Sequence, residues 1–238
     1  MNIQRLTHIK EGAIFIADSH YPHHGEEIIT LLSNLPANTP QLFLMGDIFD
    51  ILFDHARYLL EYNQKLITLI NKLSETIDIF YFEGNHDFNL QTVFPKVKLY
   101  SFNQQPQFFK FNNQSVALAH GDRFGMSKRY YYYTSLIRSR KLMQYLPFKQ
   151  KLMDKQIRHL KSKKICNKFV GFEKRMETIV LLYEKHYRDY EDFKIIEGHY
   201  HQGRQHQNYI SLPSLVCHKK VGVIEDNKLI FKALKDMI

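Results

Sequence analysis

The sequence lacks tryptophan and holds few residues of the kinds that mark disulfide-rich, collagen-like or membrane-spanning chains. Its 238 residues include only two cysteines, ten glycines and seven prolines. No apolar run approaches the roughly 18 residues that a transmembrane helix needs. Cys166 and Cys217 lie far apart in no metal or redox spacing, so we expect neither a disulfide framework nor a thiolate zinc site, and a reducing compartment fits. The first apolar run, residues 13–17, does not have the form of a secretory leader.

Aromatic and apolar side chains are plentiful. The chain has 18 phenylalanines and 15 tyrosines, and 44% of its residues are hydrophobic. This composition excludes a disordered protein, which cannot bury enough apolar surface to fold. The length predicts one large domain, or one domain that carries an insertion.

Positive charge is concentrated in one segment. The net charge is +9, but residues 123–170 contain 14 basic residues and one acid, which gives +13. The remainder has 19 basic and 23 acidic residues, so it carries −4. The sequence therefore describes a mildly acidic body with one strongly basic segment.

Apolar runs of strand length recur along the chain, and five of them end in a cluster of polar residues. Helical patterns at residues 26–33 and 57–73 separate the first three runs, and this alternation predicts an α/β fold. Later runs lie close together, with Asp226-Asn227 as a hairpin turn, which predicts a second, partly antiparallel sheet. The runs are residues 13–17, 41–45, 77–82, 107–111, 115–119, 193–196, 209–212, 219–225 and 228–234.

The basic segment is predicted to be helical and inserted. Residues 126–188 have almost no strand signal, and Pro147 divides two helical stretches. After Pro147, apolar residues recur at helical spacing opposite Lys and Arg, which indicates an amphipathic basic helix. These apolar residues are Phe148, Leu152, Met153, Ile157 and Leu160. We expect a core of residues 1–122 and 189–238, and an inserted helical lid of residues 123–188.

Polar side chains capable of binding a metal stand at the ends of five predicted strands, where open α/β sheets bind ligands. Asp18 and His20 are two apart, so an extended chain would point them the same way, and His199 and His201 repeat this spacing. Singly, such residues are as well explained as helix caps, turn residues or hydrogen-bonded histidines. Together they favour a metal site, because burying so many polar groups without a cation is costly.

The complete motif series resembles that of the calcineurin-like metallophosphoesterases. The resemblance spans residues 14–201 and implies a two-layered β-sandwich flanked by helices, with a dinuclear metal centre. The motifs are, in order, Asp18-x-His20, Gly46-Asp47-x-x-Asp50, Gly84-Asn85-His86-Asp87, His120-Gly121-Asp122 and Gly198-His199-x-His201.

The resemblance also implies a role for each motif residue. One cation would be held by Asp18, His20, Asp47 and His201, and the other by Asp47, Asn85, His120 and His199. Ligands of this kind, without thiolate, favour Mn²⁺, with Mg²⁺, Fe or Zn²⁺ as alternatives. His86 would be a catalytic residue that is not a ligand, with Asp87 orienting its ring. Asp50 and Asp122 would fix the loops.

Among these enzymes the pattern is most similar to the UDP-2,3-diacylglucosamine hydrolases of lipid A biosynthesis. The similarity rests on Phe88, on the loop of residues 46–49 and on the basic insertion directly after Asp122. It implies hydrolysis to UMP and 2,3-diacylglucosamine 1-phosphate, with a lid that receives acyl chains. The family usually has Arg where this chain has His86, and G-H-T-H-R-P where it has residues 198–203, so the match is to a divergent branch. Candidate substrate-binding residues are Asn85, His86, Arg123, Lys128 and Arg129.

Three interpretations of the basic segment remain: a solvated cover, a surface for an anionic membrane, or a surface for a nucleic-acid backbone. We expect the membrane surface, on the cytoplasmic face of the inner membrane, with a lipid-linked UDP-sugar as substrate and without a nucleic-acid partner. Tyr130 to Tyr133 are then expected to line an apolar lid cavity. The alternative function is a nucleotide or nucleic-acid phosphodiesterase on the same metal centre.

Overall fold

The computed structural model describes residues 6–139, 141, 155, 157–158, 162, 165–166, 170–190 and 192–238. Strands and helices alternate in the first half, as the sequence predicts. The elements, in chain order, are β1 (Ile14–Ile16), α1 (Glu27–Ser33), β2 (Gln41–Leu44), α2 (Arg57–Tyr62), α3 (Gln64–Leu73), β3 (Asp78–Phe82), β4 (Lys98–Tyr100), β5 (Gln107–Phe111), β6 (Gln114–Ala119), α4 (Lys128–Ile137), α5 (Phe172–His186), β7 (Lys194–Glu197), β8 (Arg204–His206), β9 (Tyr209–Ser211), α6 (Leu215–His218), β10 (Lys220–Glu225) and β11 (Lys228–Ala233).

The strands form two mixed sheets. The first has the order β11-β10-β1-β2-β3-β4 and the second has the order β5-β6-β7-β9-β8. In the first sheet β1 to β4 run parallel, and the β10–β11 hairpin joins antiparallel beside β1. Asp226 and Asn227 form the hairpin turn, both with positive φ. The prediction of an α/β sandwich of two facing mixed sheets is confirmed.

Side chains of the central strands alternate between two apolar layers, because successive residues of a strand point to opposite faces. On β1, Ile14 and Ile16 pack toward the helices α1 and α3, whereas Phe15 points to the layer between the sheets. Phe15, Phe43 and Phe80 stack across three neighbouring strands, with ring centroids 4.4 and 4.8 Å apart. This packing holds the ends of β1, β2 and β3 in a fixed relation.

Two details of the secondary structure differ from the prediction. The helix expected over residues 57–73 is broken at Asn63, whose side chain donates hydrogen bonds to the carbonyl oxygens of Leu59 and Ile51. The strands β4 and β8 were not predicted, since they are three residues long and lie at sheet edges.

Among the described residues of the predicted lid, residues 123–188, α4 and α5 are helices and no strand occurs. The helix α5 packs on the outer face of the second sheet, with Phe172, Met176 and Tyr183 buried. It thus forms an outer layer of the body, and the domain boundaries at 123 and 188 stay a prediction. Ile157 is buried in the core that also holds α1 and α3, while Lys155 and Arg158 are exposed.

Most of the predicted amphipathic helix, including Pro147, Phe148, Leu152, Met153 and Leu160, lies outside the described residues. None of the helices in the described ranges has the length and hydropathy of a membrane-spanning segment.

The expectation for the cysteines is wrong. Cys166 and Cys217, 51 residues apart, form a disulfide with a Cα–Cα distance of 5.4 Å. The sequence held no signal for it, because the pairing depends on where the end of the basic segment meets α6. The disulfide also removes the argument from cysteine usage for a reducing compartment.

Candidate metal centre

Five loops at the carboxyl ends of strands converge on one polar cluster. Asp18 follows β1, Asp47 follows β2 and Asn85 follows β3, all in the first sheet. His120 follows β6 and His199 follows β7 in the second sheet. The cluster therefore lies where the carboxyl ends of both sheets meet.

The histidine and aspartate ligand atoms form three overlapping groups, and within each group the atoms lie within 4.8 Å of one another. Asn85 joins the cluster through its amide oxygen, which is 3.4 Å from Nε2 of His120. The structure thus brings together the seven residues expected as ligands, and places His86 beside them. The groups are Asp18, His20 and His201; His20, Asp47 and His86; and Asp47, His120 and His199.

The backbone at these residues is strained in a way the sequence did not predict. We expected Asp18 and His20 to share one side of an extended chain, but both have left-handed φ, of 51° and 49°. Asp47, His199 and His201 are also left-handed. Such a conformation costs on the order of 1 kcal/mol or more for a residue with a side chain. Five strained residues in one cluster are typical of a functional site.

Glycines allow the loops to approach closely. A Cβ atom on Gly46 would lie 2.3 Å from Nδ1 of His120, and one on Gly84 would lie 2.3 Å from Oδ1 of Asp47. Any side chain at either position would push the imidazole or the carboxylate out of the cluster.

Burial and neighbouring charges set the protonation of the imidazoles. Burial lowers the pKa of His20 to about 4, and burial with the charge of His120 lowers the pKa of His199 to about 4. Burial also opposes the charged form of His120, but the carboxylates of Asp47 and Asp122 outweigh it and raise its pKa to about 9. His20 and His199 are therefore neutral near pH 7, the form in which imidazole binds a metal.

The residues present fit a pair of divalent cations. Within the described part of the chain, both ring nitrogens of His20 are buried without a hydrogen-bond partner, an arrangement that a bound cation would relieve. His120 donates from Nδ1 to the carbonyl oxygen of Met45, which leaves Nε2 directed toward Asp47, 3.6 Å away. A metal-binding histidine typically donates a hydrogen bond in this way from the ring nitrogen that does not bind the metal.

Asp87 does not have the role expected for it. Its carboxylate accepts hydrogen bonds from the backbone N–H groups of Asp47, Ile48, Phe49 and Gly84, and from the hydroxyl of Tyr81. The ring of His86 is instead held by its Nδ1, which donates to the carbonyl oxygen of Asp50 at 2.7 Å. Asp87 therefore fixes the loop that carries Asp47, and the backbone of Asp50 orients His86.

The carboxylate of Asp50 fixes a further loop. It accepts hydrogen bonds from Nδ1 and the backbone N–H of His23, and it lies 3.8 Å from Nδ1 of His20. His23 in turn contacts the hydroxyl of Tyr62. These contacts are those of the loop-fixing role expected for Asp50.

The candidate substrate-binding residues occupy different places. Asn85 and His86 lie in the cluster, whereas Lys128 and Arg129 are exposed at the start of α4. Arg123 donates to the carbonyl oxygens of Asn103 and Gln105, so its guanidinium is engaged by the chain itself. Their roles in substrate binding stay predictions. Arg138, which reaches the loops of the cluster from the end of α4, was not among the predicted site residues, because no motif includes it.

The site consists of imidazoles and carboxylates at the strand ends of a sandwich of two sheets between helices. This arrangement is that of a metal-dependent hydrolase. The chain belongs to the calcineurin-like phosphoesterase family, whose model matches residues 13–220. This match confirms the resemblance at the level of the family. No functionally curated protein is similar enough to the chain to give a match.

Several solved structures are distantly similar. A protein of unknown function from Aquifex aeolicus is 15% identical, with 95% of this chain and 98% of that chain covered and a TM-score of 0.43. A dimetal phosphatase from Danio rerio is 14% identical, with 93% and 95% covered and a TM-score of 0.48. Phosphopantetheinyl hydrolase from Mycobacterium tuberculosis is 11% identical, with 86% and 90% covered and a TM-score of 0.42.

The different roles of Asp87 and His86 can be separated by substitution. In Asp87→Asn, an amide N–H would face the donors of Ile48, Phe49 and Tyr81, so we expect the free energy of unfolding of the metal-free protein to fall by about 3 kcal/mol or more. His86→Ala should change the unfolding energy by less than about 1 kcal/mol, because one hydrogen bond is lost. It should lower kcat by about 10²- to 10⁴-fold, as expected for loss of a proton-transfer group.

Urea unfolding and turnover of a phosphodiester with an alkyl leaving group, whose departure needs a proton, measure the two effects. If Asp87→Asn kept the native stability and lowered kcat as His86→Ala does, Asp87 would be an orienting partner of His86 after all.

Proposed function

We propose that the protein hydrolyses UDP-2,3-diacylglucosamine to UMP and 2,3-diacylglucosamine 1-phosphate, a step of lipid A biosynthesis, while bound to an anionic membrane surface. The observation that carries this proposal is the position of the basic segment, which begins directly after His120-Gly121-Asp122. A positively charged segment beside a phosphoesterase centre suits a substrate that has a pyrophosphate and acyl chains and lies in a membrane.

The helix α4 supports the membrane part of the proposal. Lys128 and Arg129 are exposed at its start, and Tyr132, Tyr133 and Leu136 are 70%, 58% and 57% exposed. Tyrosine rings and basic side chains together are typical of surfaces that lie at the level of lipid headgroups.

The tyrosines do not line an enclosed cavity, because Tyr130 to Tyr133 are all exposed in the described part of the chain. The expectation of a tyrosine-lined lid cavity is therefore replaced by an outward-facing aromatic surface. Ile157, by contrast, is buried against the protein body. We therefore assign membrane contact to α4 and not to Ile157.

The proposed reaction adds water to the α-phosphorus and breaks its bond to the oxygen that bridges to the β-phosphate. Two divalent cations, which we propose to be Mn²⁺, would activate the water and neutralise charge on the phosphoryl oxygens. Nδ1 of His86 is occupied by the carbonyl oxygen of Asp50, so Nε2 is the nitrogen available to the substrate. We assign to Nε2 the delivery of a proton to the bridging oxygen, which departs with the sugar 1-phosphate.

The substrate is tested by incubating the purified protein and Mn²⁺ with UDP-2,3-diacylglucosamine, with the UDP-sugar that lacks both acyl chains, and with single-stranded DNA. We expect release of UMP from the acylated substrate, with kcat/KM at least about tenfold above that of the non-acylated sugar, since two acyl chains add apolar area to bury. Chromatography of the nucleotide products measures this. Cleavage of DNA without acyl-dependent release of UMP would contradict the proposal and favour the nucleic-acid phosphodiesterase.

The membrane surface is tested by replacing Tyr132, Tyr133 and Leu136 together with serine. Binding to vesicles of phosphatidylglycerol and phosphatidylethanolamine should weaken by about tenfold or more, because three exposed apolar groups are lost from the contact. The matched control is Leu181→Ser on α5, where the leucine is 65% exposed. Equal binding of the triple variant and the control in vesicle sedimentation would rule out α4 as the membrane surface.

A further inference from the structure

Arg138 ends α4 and turns its guanidinium into the protein, where the side chain is only 8% exposed. Its Nη2 donates two hydrogen bonds, one to Oδ2 of Asp122 at 2.9 Å and one to the carbonyl oxygen of Gly84 at 2.8 Å. A single nitrogen of the basic segment therefore joins two loops of the body.

Both of these loops carry candidate ligands of the same cation. Gly84 directly precedes Asn85, and Asp122 follows two residues after His120. The amide oxygen of Asn85 and Nε2 of His120 are 3.4 Å apart. Because Arg138 contacts both loops, its position affects the distance between these two ligands.

Further contacts fix the guanidinium and the end of α4. The ring of Phe102 lies 4.3 Å from the guanidinium carbon, a cation–π contact. Asn89, four residues after Asn85, donates from Nδ2 to the carbonyl oxygen of Arg138 at 3.0 Å. The loop after β3 thus contacts both the main chain and the side chain of Arg138.

Burying this ion pair costs more free energy than a contact needed only for stability would justify. Nε and Nη1 of Arg138 and Oδ1 of Asp122 are buried and have no hydrogen-bond partner among the described residues. A buried ion pair contributes little net stability compared with apolar residues of the same volume, and unpaired buried donors add a further cost. The pair is better explained by the geometry that it imposes on the two loops.

We propose that Arg138 is a positioning residue that couples the seating of α4 to one of the two metal positions, the one formed by Asp47, Asn85, His120 and His199. The inference depends on the metal centre and not on the identity of the substrate. Because such coupling is reciprocal, a cation at this position must stabilise α4 as much as seated α4 stabilises the cation.

Titration calorimetry with Mn²⁺ tests whether Arg138 raises the affinity for the cation. In Arg138→Ala, the affinity of the named position should fall by about 10- to 100-fold, the usual effect of losing a partner that supports metal ligands. The other position should stay within about threefold of the native affinity, since none of its ligands but Asp47 is shared. Arg138→Lys should give an intermediate loss, because an ammonium group restores the charge but not the planar contact with Phe102.

Two further variants, each lacking a ligand of one metal position, show which position Arg138→Ala weakens. In His201→Ala, which weakens the other position, Arg138→Ala should still cause its full loss. In His199→Ala, measured at Mn²⁺ concentrations at which the named position stays empty, Arg138→Ala should leave the remaining Mn²⁺ binding unchanged. Arg57→Ala is the control, since Arg57 pairs with Glu61 on the surface of α2.

Hydrogen exchange tests the reciprocal effect, which is the stabilisation of α4 by the bound cation. Addition of Mn²⁺ should slow amide exchange in α4 of the native protein, and this slowing should be absent in Arg138→Ala. The proposal is overturned if Arg138→Ala binds both cations with native affinity, if it weakens both positions equally, or if Mn²⁺ leaves exchange in α4 of the native protein unchanged.

Discussion

Asp47 places a negative charge in the interior of the protein, among the imidazoles of His20, His86, His120 and His199. Burial raises the pKa of its carboxyl group, but attraction to the imidazole neighbours, above all to the charge of His120, outweighs burial and lowers the pKa. The carboxylate also accepts a hydrogen bond from the backbone N–H of His86. Because Asp47 belongs to two of the three ligand groups, its position decides whether the cluster can hold cations as a pair. The loops around it are built to keep it there.

Two devices hold those loops. The carboxylate of Asp87 gathers the backbone N–H groups of Asp47, Ile48 and Phe49, which fixes the turn after β2. Left-handed φ at five candidate ligands turns the chain sharply after each strand, and the strain persists because the surrounding structure determines the path. The stacked rings of Phe15, Phe43 and Phe80 are part of that structure, since they lock three neighbouring strands just before their loops begin.

The sequence predicted what is carried by local pattern. Apolar runs followed by polar residues identified the strands and placed Asp18, Asp47, Asn85, His120 and His199 at their ends, and the structure brings these residues together. Features that depend on distant parts of the chain were missed. The local spacing of residues predicts neither the Cys166–Cys217 disulfide nor the contacts of Arg138. The role of Asp87 could not be predicted either, because it depends on the turn after β2 packing against its carboxylate. The break at Asn63 was missed because the apolar period continues across it.

The central claim is that these residues hold two divalent cations that share Asp47. The most direct measurement is the number of Mn²⁺ ions bound per chain, determined by equilibrium dialysis and elemental analysis, in the native protein and in Asp47→Ala. We expect two ions in the native protein, and at most one in the variant at the same free Mn²⁺ concentration. Two ions bound to Asp47→Ala with native affinity would contradict the account.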